Sequence, residues 1–232
     1  MSVWVLLKRL SVVTLVALVV LALAYAGWRY EPSFYRTSAV PPGTAREAGS
    51  EQFEKILADL INQLQNDADW GAEFTQEQIN SWFAEDFVHS NMARQVVGVV
   101  SEPRVHLTRD RLRIGFRHGR GWLSSVITLK AAVWICPGEP HAVAVQIHSL
   151  RVGLFPLSPK LFQEQFDAML RQQGMDIQWY RYQGLPTAVI RFQANRREPT
   201  FRLRQLELQE GLLRLRGQTL DSNTSSAERP VS

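Results

Sequence analysis

HAVAVQIHSLRVGLFPLSPKLFQEQFDAMLRQQG, residues 141–174, sets the architecture that the rest of the chain must fit. It reads as a long strand, a tight proline-containing corner and an amphipathic helix. Val143, Val145 and Ile147 share one face of the strand, and Leu150, Val152 and Leu154 take the other. A two-residue period that changes phase is what one extra residue in a ladder produces. A β-bulge is therefore expected near His148–Ser149, in a sheet that is curved. Gly153 and Pro156 end the ladder, because proline has no N–H to donate to it. Ser158 before Pro159 is a helix start, with a side-chain acceptor at the cap and a preset φ in the first turn. Phe162, Phe166, Met169 and Leu170 then share a face, and Gly174 suits a left-handed stop. A bent strand that delivers an apolar helix onto a sheet is a scaffold or a greasy pocket. It carries no reaction chemistry.

Outward from this stretch, the chain has the bulk of a globular protein. Its 232 residues, 45% hydrophobic and 21% charged, can bury one good core. The net charge of +4 hides a lopsided make-up, because 22 of the 26 basic residues are arginine. Base composition of the coding DNA explains such a bias; retention of a planar fork that binds phosphate or carboxylate is the alternative. The single cysteine, Cys136, excludes an intrachain disulfide framework and reads as a small buried hydrophobe in a strand.

Leu10 to Gly27 is an apolar run broken only by Ser11 and Thr14. As a helix it is about 27 Å long, close to the hydrocarbon thickness of a bilayer. Lys8 and Arg9 precede it, which predicts a cytoplasmic N-terminus and an exported body. Trp4 on one side and Tyr25, Trp28 and Tyr30 on the other resemble interfacial belts and favour a retained anchor. Ala24-Tyr25-Ala26 before Gly27 also fits signal-peptide cleavage after Ala26, the competing reading. Residues 31–49, with three prolines and no period, read as a stalk.

From Ser50 the period is helical, with Phe53, Ile56, Leu57, Leu60, Ile61 and Leu64 in one stripe. Thr75 and Gln78 make a capping box, and Phe74 with Ile79 a hydrophobic staple, for a short helix carrying Trp82 and Phe83. Asn80 on that helix is read as bonded to backbone or solvent rather than to a ligand. The remainder alternates as strands: 105–107 and 112–116 about a turn at Arg109–Arg111, 127–135 ending at Pro137–Gly138, 188–192, and a last hairpin turning at Gln209–Gly211.

Reaction motifs are absent from the sequence: no Gly-x-Ser-x-Gly, no His-Glu-x-x-His, no phosphate-cradling glycine loop and no cysteine pair. His106 and His118 fall out of register on the first hairpin, and His141 and His148 lie roughly 23 Å apart along one strand, so no shared metal is expected. The expectation is a non-enzyme without cofactor or metal. The pattern that rises above background is cationic. Arg104, Arg109, Arg111, Arg113, Arg117 and Arg120 cluster in the first hairpin, and Arg196, Arg197, Arg202, Arg204, Arg214 and Arg216 near the last. Export argues against nucleic acid as the partner, which leaves anionic headgroups or the solubilisation of edge strands, the second being the plainer reading.

The order of elements resembles the YpmS-like family of membrane-anchored exported proteins. The resemblance rests on Thr75, Glu77, Gln78, Ile79 and Asn80, and on the corner Gly153, Pro156, Leu157 and Pro159. That layout is similar to tubular (TULIP-like) lipid-binding domains, in which a curved sheet wraps a helix around an apolar lumen, and it implies lipid or other apolar-ligand handling.

The expected architecture is α+β. An N-terminal transmembrane helix, residues 10–28, follows a cytoplasmic 1–9. A stalk, 29–49, leads to an extracytoplasmic domain, 50–217, in which one curved antiparallel sheet packs on two or three helices. Residues 218–232 are expected to be a disordered tail. The expected function is binding of a lipid or other apolar ligand in the cell envelope, in a groove lined by Leu154, Phe155, Phe162, Phe166 and Met169. The alternative is an interaction module that presents an Arg-rich sheet to an envelope partner.

Overall fold

The computed structural model describes residues 3–87, 100–160, 163, 167, 170–171, 174–192 and 200–220, with the side chains of 3–11 and Val100 excepted. Its order is helices α1 (Val3–Trp28), α2 (Ser33–Thr37) and α3 (Thr44–Asn66), strand β1 (Asp69–Thr75) and helix α4 (Gln76–Glu85). Nine strands follow: β2 (Val100–Thr108), β3 (Arg111–His118), β4 (Ser125–Cys136), β5 (Glu139–Val152), β6 (Phe155–Pro156), β7 (Asp176–Tyr182), β8 (Leu185–Arg191), β9 (Phe201–Gln209) and β10 (Leu212–Thr219). This is an α+β fold, N-terminal helices followed by antiparallel sheets.

Two sheets form where one was expected. The larger runs β2-β3-β4-β5-β8-β7, with β6 folded back on β5, and the smaller is β1-β10-β9. Every described pairing is antiparallel. The last hairpin leaves the large sheet because β1 captures it, with Trp70 opposite Gly217 and Phe74 opposite Leu213. β1 was read as the lead-in to a helix. Its signal is the alternation Trp70, Ala72, Phe74, all buried.

The bulge is where the change of phase puts it. Lys130 pairs with Ser149 and Ala131 with Ile147, leaving His148 as the extra residue. The bulge returns Leu150 and Val152 to the buried face that Val143 and Ile147 already occupy. That inner face packs against the small sheet and α3, around Leu60, Trp70, Phe74, Val143 and Leu203. The capping box at Thr75 and Gln78 forms as read.

Residues 160, 163, 167, 170 and 171 of the segment after the corner are helical. Leu170 is buried against Ile177, Ala188 and Ile190 on the same inner face, and Asp167 accepts a hydrogen bond from Trp179 Nε1 at 2.8 Å.

Helix α4 closes the open edge of β2. Asn80 Nδ2 donates to the Val105 carbonyl at 2.9 Å, and Asn80 Oδ1 accepts from the Val105 N–H at 2.7 Å. Gln76 Oε1 accepts from the Leu107 N–H at 2.8 Å. The two amides stand in for a neighbouring strand, and Asn80 is bonded to backbone as read. Asn80→Ala leaves a buried N–H and C=O without partners, so we expect a loss of about 2–4 kcal/mol in chemical unfolding of the full chain in detergent. A change under about 1 kcal/mol would mean that water satisfies this edge.

Domain edges differ from the expected ones. α3 begins at Thr44 rather than 50, and β10 reaches Thr219, with Gln218 opposite Asp69. Residues 221–232, the bulk of the expected tail, lie outside the described residues. The expected stalk is packed chain. Its α2 places Tyr35, 0% exposed, and Phe34 on the outer face of the large sheet beside Val126. Gly115 makes the room, because a Cβ there would stand 2.6 Å from the Tyr35 ring.

Among the described residues no helix is long and apolar enough to cross a membrane.

Candidate functional site: a cationic groove beside the end of the N-terminal helix

The outer face of β3, β4 and β5 carries polar residues in register. Arg113 stands opposite Lys130 and Lys130 opposite Ser149; two residues along, Gly115 stands opposite Thr128 and Thr128 opposite Arg151. Directly opposed side chains in antiparallel strands have Cβ atoms roughly 5 Å apart, and like charges so placed repel. The segment 30–34 crosses this face and forms the second wall, with the Phe34 ring 5.8 Å from the Arg113 guanidinium. Between the walls lies a groove of about 370 Å³, bordered by Tyr30, Ser33 and Leu154 as well as by the basic residues.

Charge compensation differs across the two sheets. Arg204 pairs with Asp69, Arg214 with Glu73 and Glu207, and Arg216 with Glu73. On β2 and β3, Arg104 and Arg117 share Glu31 and Glu102 around Tyr35. Arg191 is held by Glu139 and Asp176, and that hydrogen-bonded partner keeps the Glu139 carboxyl below its usual range. Arg111, Arg113, Lys130 and Arg151 form no ion pair among the described residues. Arg113 Nε is buried without a hydrogen-bond acceptor among the described residues. Burial, then Arg111 and Arg113, push the Lys130 ammonium below its ordinary range. Burial, then Arg111 and Lys130, do the same to His148.

Solubilisation of edge strands does not account for Arg113. β3 is an interior strand between β2 and β4, and half-buried Arg113 lies under Phe34 rather than in open solvent. Arg196 and Arg197 fall outside the described residues.

The groove opens beside a junction with α1. Tyr25 OH donates to the Trp122 carbonyl at 3.0 Å, Trp28 Nε1 to the Leu123 carbonyl at 3.0 Å, and Arg29 to the Gly121 carbonyl at 3.1 Å. The Leu154 N–H donates to the Gly27 carbonyl at 2.9 Å, and Ser125 Oγ donates to the Trp28 carbonyl. Gly153, at φ +56°, fits because a Cβ would lie 2.3 Å from the Gly27 carbonyl oxygen. Around this junction stand Trp122 at 71% exposed, Leu123 at 53%, Leu154 at 49% and Phe155 at 41%, continuous with the exposed apolar flank of α1.

Of the expected apolar groove, Leu154 and Phe155 are among the described residues. Leu154 and Phe155 sit at the junction, the Phe155 ring 3.2 Å from where a Cβ on Gly27 would be. The reason is the turn at Gly153, which carries them away from the inner face where Leu170 packs. Phe162, Phe166 and Met169 lie outside the described residues. Lys130, Ser149 and Arg151 were not singled out from the sequence. The signal for Lys130 was plain alternation with Leu129 and Ala131, and for Ser149 and Arg151 the alternation that resumes after the bulge at His148. Among the described residues no group of histidine, cysteine and carboxylate side chains could hold a metal ion. No family model, curated protein or solved structure matches the chain.

Proposed function

We propose that this chain is a single-pass, membrane-anchored extracytoplasmic module whose domain is seated at the surface of the bilayer and binds ligands there. The observation that carries the reading is the junction. The end of an apolar helix is hydrogen-bonded into two loops that hold out Trp122, Leu123, Leu154 and Phe155. Aromatic and apolar side chains at the end of such a run suit the interfacial layer, and Lys8 and Arg9 before it suit a cytoplasmic N-terminus. The Tyr25 bond to the Trp122 carbonyl also favours retention, since cleavage after Ala26 removes its donor. The resemblance to the YpmS-like family supports the same layout. A domain fastened in this way serves lipids and lipid-borne components of the envelope, and needs no long stalk to reach them.

The second reading, an interaction module, is favoured by the cluster of Arg111, Arg113, Lys130 and Arg151, which form no ion pair among the described residues. Both readings put the working surface on the outer face of the large sheet.

Intact mass of the protein extracted from membranes tests the anchor. The full chain is expected to resist alkaline extraction and to keep its N-terminal segment. A chain that begins at Gly27 and washes off the membrane would overturn the reading.

A further inference from the structure

We propose that the groove between the β3–β5 face and segment 30–34 is a binding site for a phosphate-class anion, gripped by Arg113, Lys130 and Arg151 with the hydroxyls of Ser33, Thr128 and Ser149. All six residues border the groove.

The first argument is electrostatic. On the two sheets Arg104, Arg117, Arg191, Arg204, Arg214 and Arg216 are each compensated, in part by residues far apart in sequence, such as Glu73 for Arg214 and Glu139 for Arg191. Here two cations oppose each other across a strand pair and a third lies one row away, with no carboxylate bonded to them among the described residues. The nearby Glu31 is turned to Arg104 and Arg117. Repulsion of this kind is retained where an anion relieves it.

The second argument is shape. Arg113 and Lys130 are half-buried beneath a wall made by Tyr30, Pro32 and Phe34, and Arg151 is exposed at the mouth. Arg113 Nε is buried with no acceptor among the described residues, so this guanidinium is not satisfied by the fold around it.

The third argument selects the class. Two guanidinium forks, an ammonium and three hydroxyls match a tetrahedral group with several oxygens better than a carboxylate with two. The volume suits a headgroup or a small phosphoester and is too small for a folded partner. The anion could be free in solution or could belong to a phospholipid. Only the second source rests on the membrane-seated reading.

The test uses the full chain in detergent micelles, titrated with inorganic phosphate and with sn-glycerol 3-phosphate at constant ionic strength, and read by calorimetry. The same chain in nanodiscs of phosphatidylcholine, with or without phosphatidylglycerol, is read by native mass spectrometry. Arg113→Gln and Arg151→Gln are expected to weaken binding about tenfold or more, as loss of a charge-assisted contact does. Arg216→Gln, on the other sheet and already paired with Glu73, should leave it unchanged. Exposed Arg151 keeps the test open if the Arg113 variant does not fold. Arginine-dependent binding of the soluble anions without phosphatidylglycerol preference supports a free phosphate ligand. Arginine-dependent retention of phosphatidylglycerol alone supports a headgroup. The proposal is overturned if neither arm binds, or if both arginine variants bind as the wild type does. The first outcome would stand even for a chain whose anchor proved to be cleaved, so the site and the anchor fail separately.

Discussion

Gly217→Val is expected to prevent stable folding of the domain. Gly217 lies opposite Trp70 across the β1–β10 pair, and the Trp70 ring covers it. A Cβ at 217 would stand 2.1 Å from Trp70 Cζ2 and 2.5 Å from the Arg202 carbonyl oxygen. The backbone oxygen cannot move without breaking the ladder to β9, and the Trp70 ring cannot leave without opening the core it shares with Leu60, Phe74 and Leu203. Overpacking of a close-packed core costs typically 1–3 kcal/mol, and more when backbone is among the obstacles, so we expect at least about 3 kcal/mol. The check is the chemical unfolding midpoint, with Gly211→Ala as the control for a change in the neighbouring turn. At 211 the strain comes from φ +69° and a Cβ meets open space, so the loss should be visibly smaller. Equal effects would mean that the Trp70 contact is not what Gly217 serves.

Tyr35→Ala is expected to cost about 3–5 kcal/mol and to free residues 30–38 from the sheet. The ring is fully buried, with the Arg104 guanidinium 4.2 Å from its centre. Its hydroxyl donates to the Glu102 carbonyl at 2.7 Å, and its own carbonyl accepts from Arg104 at 2.8 Å. Loss of the ring therefore undoes the second wall of the groove as well as a satellite core. The same burial pushes the Tyr35 phenol up to about 12, against an ordinary value near 10. The folded state thus holds this proton more tightly than the unfolded state. Its contribution to stability is complete below about pH 10 and is lost as pH rises toward 12, on the order of 2 kcal/mol. Wild type and Tyr35→Phe compared by thermal unfolding between pH 9 and 12 isolate the effect. The phenylalanine variant should start lower, for want of the hydroxyl, and decline less steeply. Parallel curves would assign the alkaline loss to other groups.

Much of the local structure could be read from residues next to one another. The phase change at His148, the capping box at Thr75, the turns at Asp110 and Gly211 and the stop at Gly174 are short-range signals, and the backbone obeys each of them. What was misread depends on partners far away. Trp70, Ala72 and Phe74 alternate as a strand should, but the strand exists because Leu212–Gln218, more than a hundred residues later, pairs with it. The 29–49 segment has the composition of a stalk, and Tyr35 is buried because Gly115 leaves a space and Arg104 and Glu102 meet it there. The arginine clusters were legible as clusters. Which arginines are neutralised was not, because Asp69 and Glu73 reach Arg204 and Arg214 only through the sheet. Of the apolar site, the left-handed turn at Gly153 carries Leu154 and Phe155 to the end of α1, a placement that depends on Gly27 far earlier in the chain.

Whether the domain rests on the bilayer at the end of its own helix is read from the depth of residue 122. A spin label at Trp122 in the full chain, reconstituted in phosphatidylcholine–phosphatidylglycerol vesicles, is compared with one at Glu210, in the turn at the opposite end of the sheets. Accessibility to oxygen and to a water-soluble nickel complex gives the depth of each. The account predicts a label at 122 within the interfacial layer and a label at 210 in water. Equal, fully aqueous accessibility at both positions would contradict it.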